Sequence, residues 1–207
     1  MSDSTTSVSS MTFEEFTRHY GGKRYEYVDG QAVPMGPELA TDEDEVIVGP
    51  TKLVHGLVTG EIAGILRQFV REHQSGVVLG AETGFLMQED PPDLRAADVA
   101  FVSQERLGEI EDVGGWLPFP PDLAVEVVSE WDKAADMRRK ARSYMTHGTR
   151  LLWFVYPEDR EIEVFRPGQT TQTLGPNDTL DGGDVLPGFS VPLREVFAAI
   201  DALTGGE

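Results

Sequence analysis

The sequence predicts a mixed α/β (α+β) domain, a β-sheet flanked by α-helices, from three observations. Apolar residues recur at helical spacing in two long segments, short β-prone runs bounded by Gly, Pro and Asp separate and follow them, and the two kinds of element alternate irregularly along the chain. A length of 207 residues with 40% hydrophobic content fits one domain with a core of ordinary size.

Residues 1–11 are polar and read as a disordered tail ahead of a single domain over 12–207. Thr12-Phe-Glu-Glu15 has the form of a capping box and opens a short helix to about Tyr20, stopped by Gly21-Gly22. Arg24 to Val28, then Asp29-Gly30, then Gln31 to Met35 is a hairpin pattern, because Asp-Gly tolerates the positive φ of a two-residue turn; Glu26 therefore lies on a strand. Glu38, Asp42, Glu43, Asp44 and Glu45 read as a solvated, mobile loop without a binding role. Val54, Leu57, Val58, Ile62, Ile65, Leu66 and Phe69 predict an amphipathic helix over Thr51 to His73, ending near Gly76 and covering one face of the sheet.

Val77 to Leu79, Gly84 to Met87 and Ala97 to Val102 read as strands, followed by a Gly- and Pro-rich surface loop from Gly108 to Pro121. Asp122 to Ser129 is another strand, and Ala134, Met137, Ala141, Tyr144 and Met145 trace a helix from near Asp132 to Gly148. Leu151 to Val155 and Glu161 to Phe165 are strands joined by a tight turn, and Leu193 to Leu203 is a closing helix. Trp153 and Trp116 read as core or loop anchors, not as base-stacking platforms.

Composition narrows the chemistry. Cysteine is absent, so disulfides and thiolate metal sites are excluded, and a metal would sit on oxygen or imidazole ligands. No apolar run approaches the length of a membrane span, so no membrane partner and a cytoplasmic location are expected. The net charge of −19 counts against a general DNA binder, yet Lys133 to Arg150 holds six of the 17 Lys and Arg residues against Asp136 alone.

Glu126 is the residue that most needs a reason, since an ionised carboxylate inside a strand of otherwise apolar character must be held by a cation, a metal or a proton. Asp98 stands near the start of a similar run. Glu26, Asp98, Glu126 and Lys140 could meet at one sheet edge, and phosphodiester hydrolysis needs what a carboxylate-held divalent ion and an amine supply: charge stabilisation, an oriented water and a neutralised leaving oxygen. Magnesium accepts one or two direct carboxylates, so Asp98 and Glu126 suffice as ligands. Plainer roles also fit: Asp98 as a turn or cap, Glu126 on a solvated edge, Lys140 within a basic surface.

Arg24-Tyr-Glu-Tyr-Val-Asp-Gly30, Arg95-Ala-Ala-Asp-Val-Ala-Phe-Val-Ser103, Pro121-Asp-Leu-Ala-Val-Glu-Val-Val-Ser129, Lys140 with Tyr144 and Gly148, and Leu186-Pro-Gly-Phe189 together resemble the Uma2 family over Thr12 to Phe197. That family is placed in the PD-(D/E)XK superfamily of restriction-endonuclease-like nucleases. The resemblance implies a restriction-endonuclease-like mixed β-sheet flanked by α-helices and a Mg2+ (or Mn2+) dependent site. By position, Asp98 resembles the first acid and Glu126 the second; Val128 stands where the motif lysine would be, and Lys140 resembles its migrated substitute. Glu26 is similar to the early glutamate of such sites, and His55 matches a recurrent family position, where a core or capping role is expected. Ala97 and Glu130 replace prolines of the family pattern and Tyr156 replaces an acid, none of them a proposed catalytic group.

The leading expectation is a metal-dependent endonuclease acting on nucleic acid, DNA first, and by fold-level analogy a homodimer. Its rivals are a catalytically silent nuclease-fold protein serving as a binding or assembly module, and carboxylate-pair hydrolysis of a glycoside.

Overall fold

The computed structural model describes residues 10–36, 38–40, 46–48, 51–130 and 132–204. Most of the expected tail, residues 1–9, lies outside them. Met11 is already engaged, its N–H donating to the Gly30 carbonyl (2.8 Å) and its own carbonyl accepting the Tyr27 hydroxyl (2.7 Å).

Helix α1 (Phe13–Tyr20) opens on the expected capping box: Thr12 Oγ1 accepts the Glu15 N–H at 3.2 Å, and Glu15 Oε2 accepts the Thr12 N–H at 2.8 Å. Strands β1 (Tyr25–Val28) and β2 (Gln31–Pro34) form the hairpin around Asp29 (φ 50°) and Gly30 (φ 76°). The acidic segment read as a loop begins instead with a short strand, β3 (Glu38–Ala40), paired antiparallel with β4 (Val46–Val48); residues 41–45 lie outside the description. Helix α2 (Leu53–His73) stops at Gln74, which adopts the left-handed conformation (φ 51°) two residues before the glycine expected to end it. Gly76 instead admits a close approach between neighbouring strands, since a Cβ there would collide with the Val102 carbonyl oxygen.

Those neighbours are β5 (Gly76–Gly80) and β8 (Val99–Ser103), with β6 (Phe85–Glu89) and β7 (Pro92–Arg95) between them in sequence and a short α3 (Gln104–Leu107) after them. Strand β9 (Leu123–Val127), α4 (Ala134–His147) and β10 (Leu151–Tyr156) form a β-α-β unit in which the two strands pair in parallel. Strands β11 (Glu161–Phe165), β12 (Gln172–Leu174), β13 (Thr179–Asp181) and β14 (Ser190–Pro192) precede α5 (Leu193–Thr204). Among the described residues no helix is long and apolar enough to cross a membrane.

The strands build a six-stranded mixed sheet of order β12-β11-β10-β9-β8-β5 and a four-stranded sheet of order β2-β1-β7-β6, besides two small strand pairs. One face of the six-stranded sheet, with Val125 and Trp153, packs on α2 (Ile62, Leu66) and α5 (Phe197). Its other face, with Ala124 and Phe154, packs on α4 (Ala141, Tyr144) and on β6 (Phe85, Met87). Each fully buried aliphatic or aromatic side chain adds about 1.5–3 kcal/mol of transfer free energy, so these two layers hold the architecture. Trp153 is buried in the core and Trp116 packs on Phe13 at 5.4 Å between ring centres, the anchoring roles expected of both.

Candidate functional site

The segment 96–98 links β7 of the small sheet to β8 of the large one, and the polar cluster forms where the two sheets and α4 meet. Strand alternation sends Val125 and Val127 to the α2 side of β9 and turns Glu126 to the α4 side, where the Tyr144 hydroxyl donates to Oε1 at 2.7 Å and Lys140 Nζ lies 2.8 Å from Oε2. On β1, Tyr27 packs beside α1 while Glu26 turns inward; its Oε1 accepts the Ala96 N–H at 3.0 Å and lies 3.7 Å from Lys140 Nζ. Lys140 thus joins acids from two different sheets.

Asp98, just ahead of β8, accepts the N–H of Val127, the residue after Glu126, at 2.7 Å on Oδ2. His55 Nε2 lies 3.2 Å from the same oxygen. All four predicted residues therefore meet around one junction, Glu26 and Glu126 through Lys140, Asp98 through the backbone beside Glu126. Lys140 is turned inward and does not belong to the exposed basic surface of Arg138 and Arg142 on its own helix.

The electrostatics follow from burial and neighbours. Burial pushes the Glu126 carboxyl up to about 7, Lys140 opposes the rise, and Asp98 and Glu26 add to it. Lys140 is itself partly desolvated, which disfavours its charge, but Glu126 and Glu26 outweigh that and hold its pKa above the usual lysine value. For Asp98 burial is again the largest influence and raises the pKa, yet the His55 hydrogen bond and charge, with the Val127 N–H, bring it below the usual carboxylate value. Tyr144 is raised by burial and by the two glutamates, so it donates its proton to Glu126 and keeps it.

A supporting layer was not evident in the sequence. Arg95 Nη1 lies 3.7 Å from Glu26 Oε2, and the same guanidinium makes a two-pronged contact with Asp93 at 2.9 and 3.3 Å. Ser143 of α4 donates to Asp93 at 3.1 Å. The i, i+2 spacing of Asp93 and Arg95 would have revealed one face of a strand, had Pro91-Pro92 not marked the segment as loop; Tyr144 stands one turn from Lys140, a spacing that does report a shared face. His55 was expected to fill a core or cap, and instead it faces Asp98. Asp122, the other buried acid of this strand region, is occupied structurally by the Ser103 N–H at 2.8 Å and by Arg106 and Arg150 at 3.8 and 3.7 Å.

Among the described residues no group of three or more His, Asp or Glu side chains forms a metal cage. Two carboxylates, Asp98 and Glu126, remain as possible ligands, with side chains of Asp98 and Lys140 still 20% and 23% exposed, so water can complete a shell. Few carboxylates and several waters is the pattern magnesium favours.

A solved structure described as a putative nuclease belonging to DUF820 from Anabaena variabilis ATCC 29413 shares this fold, with a TM-score of 0.67, 16% identity, and coverage of 84% of this chain and 89% of that one. No curated protein matches the chain. The model of the Uma2 family, described as "Putative restriction endonuclease", matches residues 13–194. The chain belongs to the Uma2 family, and this membership supports a nuclease function.

Proposed function

We propose that the chain is a Mg2+ (or Mn2+) dependent endonuclease of the PD-(D/E)XK type that hydrolyses phosphodiester bonds of DNA. The observation that carries this reading is the position of Lys140, whose amine is shared by Glu126 at 2.8 Å and Glu26 at 3.7 Å in a buried junction that also receives Asp98. A salt bridge of purely structural purpose does not need two carboxylates on one cation with a third at the same junction, because each extra buried acid raises the desolvation cost.

Asp98 and Glu126 would hold the divalent ion, which when bound stabilises charge on the phosphate oxygens and on the leaving oxygen. Lys140 donates to and orients the attacking water. Glu26 accepts the proton of that water as the new P–O bond forms, while the P–O bond to the leaving strand breaks and the released alkoxide takes up a proton from solvent. Arg95 holds Glu26 in place, and Tyr144 restrains one oxygen of Glu126.

The second reading, a silent nuclease-fold module, draws on the net charge of −19. Plasmid incubated with protein and Mg2+ or Mn2+ separates the two: nicking that Glu126→Ala and Lys140→Ala both lose supports the endonuclease, and equal background in all three proteins supports the module.

A further inference from the structure

One side chain touches the junction without a part in the chemistry above. His55, in the first turn of α2, places Nε2 at 3.2 Å from Asp98 Oδ2, while its Nδ1 lies 3.3 Å from Oγ1 of Thr59 one turn along the same helix. The ring is tethered at both nitrogens. The carboxylate is tethered too, since the Val127 N–H reaches that same Oδ2 at 2.7 Å. Nε2 carries a proton in either charge state of the ring, because an ionised Asp98 offers only acceptors.

Two donors on one oxygen fix the carboxylate plane and forbid an exchange of its oxygens without loss of both hydrogen bonds. Among the described residues no hydrogen bond falls on Oδ1, so that oxygen keeps its lone pairs for another partner. His55 and its tether Thr59 come from α2, the helix that packs on the opposite face of the six-stranded sheet from α4.

We propose that His55 is a positioning residue, held by Thr59, which together with the Val127 N–H orients Asp98 so that Oδ1 is the oxygen presented to a divalent cation. This rests on Asp98 as a metal ligand in the function proposed above. Loss of a partner that orients a ligating group typically weakens metal binding by about 10- to 100-fold.

The test is Mn2+ affinity from the free-ion paramagnetic resonance signal, with circular dichroism melts as the fold control, for wild type, Asp98→Asn, His55→Ala, His55→Gln and Thr59→Val. The expected result is a loss of about 10- to 100-fold in His55→Ala, recovery of most of it in His55→Gln, whose amide N–H can still donate, and a smaller loss in Thr59→Val. A folded His55→Ala that binds Mn2+ as wild type does overturns the inference. So does a nitrogen coupling on the bound Mn2+ that His55→Ala abolishes, because His55 would then be a ligand itself. Should His55→Ala fail to fold, wild-type affinity in both His55→Gln and Thr59→Val supports no more than a packing role and equally overturns it. If Asp98→Asn binds as wild type does, the assignment of Asp98 as a ligand has failed and the positioning role falls with it.

Discussion

Glu126 concentrates the energetic conflict of this protein in a single carboxyl. Burial and two neighbouring acids raise it to about 7, against an ordinary value of 4.5. A proton is therefore held more tightly in the folded chain than in the unfolded one, and the corresponding stability is present below pH 4.5 and lost as pH climbs through about 7. The integrated effect is at most about 3 kcal/mol. His55, also raised, acts in the same direction, whereas lowered Asp98 acts only at more acid pH. Glu126→Gln should remove most of this slope: urea unfolding without metal at the two ends of that range should show wild type losing stability relative to the variant as pH rises. A parallel pH dependence of the two would contradict the assigned titration.

Lys140 is the other side of the same conflict. Lys140→Met leaves Glu126 and Glu26 without their shared cation, and Glu126 then takes up a proton at neutral pH in place of a metal. Nicking should fall by at least about 100-fold, the low end of what a positioned proton-handling group contributes. A gel assay of initial rates reads the outcome, and a variant within a few-fold of wild type would remove Lys140 from the mechanism. Glu126 and Asp98 were legible in the sequence because each is a charge in an apolar, β-prone run. Lys140 and Glu26 were grouped with them only through the elements they sit on, the helix after the Glu126 strand and the first hairpin, and the family resemblance strengthened that placement, since a lysine among arginines and a glutamate in a hairpin have no distinguishing pattern of their own. His55, Arg95 and Asp93 carried no periodic signal of their function, which depends on partners far away in sequence.

At the scale of elements, the site depends on how α4 and the small sheet are fastened to the large one. Arg95 of β7 spans Glu26 of β1 and Asp93, and Ser143 ties Asp93 to α4. Arg95→Met removes the cation shared by two buried acids, leaving Glu26 to Lys140 and Asp93 to the Ser143 hydroxyl, which should cost about 3–5 kcal/mol and lower the urea midpoint accordingly; an unchanged midpoint would show that the two sheets are fastened without it. Gly148 ends α4 with φ 105°, a conformation costly for any residue with a Cβ. The helices and the first hairpin were legible because capping boxes, Asp-Gly turns and 3.6-residue periods are local. Strand β7 was missed because Pro91-Pro92 reads as loop, although proline is tolerated where Pro92 stands, at the first residue of a strand. The three-residue strands β12, β13 and β14 are too short for any periodicity to register.

At the scale of the whole molecule, the sequence conveyed a mixed sheet flanked by helices but not its partner sheet, because pairing of β1 with β7 joins segments far apart along the chain. Net charge adds a constraint on function. A chain of −19 repels a polyanion at long range, and the repulsion weakens as the Debye length shrinks from about 30 Å at 0.01 M salt to about 10 Å at 0.1 M. Cleavage at low DNA concentration should therefore speed up across that interval, in contrast to the usual nuclease with a basic cleft. A steep fall instead would mean that the exposed arginines of α4 dominate the encounter.

The measurement that bears most directly on the site is a calorimetric titration of the protein with Mg2+, repeated on Asp98→Asn and Glu126→Gln. One binding event in the wild type, lost in both variants while their folds persist, is the predicted result. Identical heats in all three proteins, or none in the wild type, would show that these acids do not hold the metal on which the proposed hydrolysis relies.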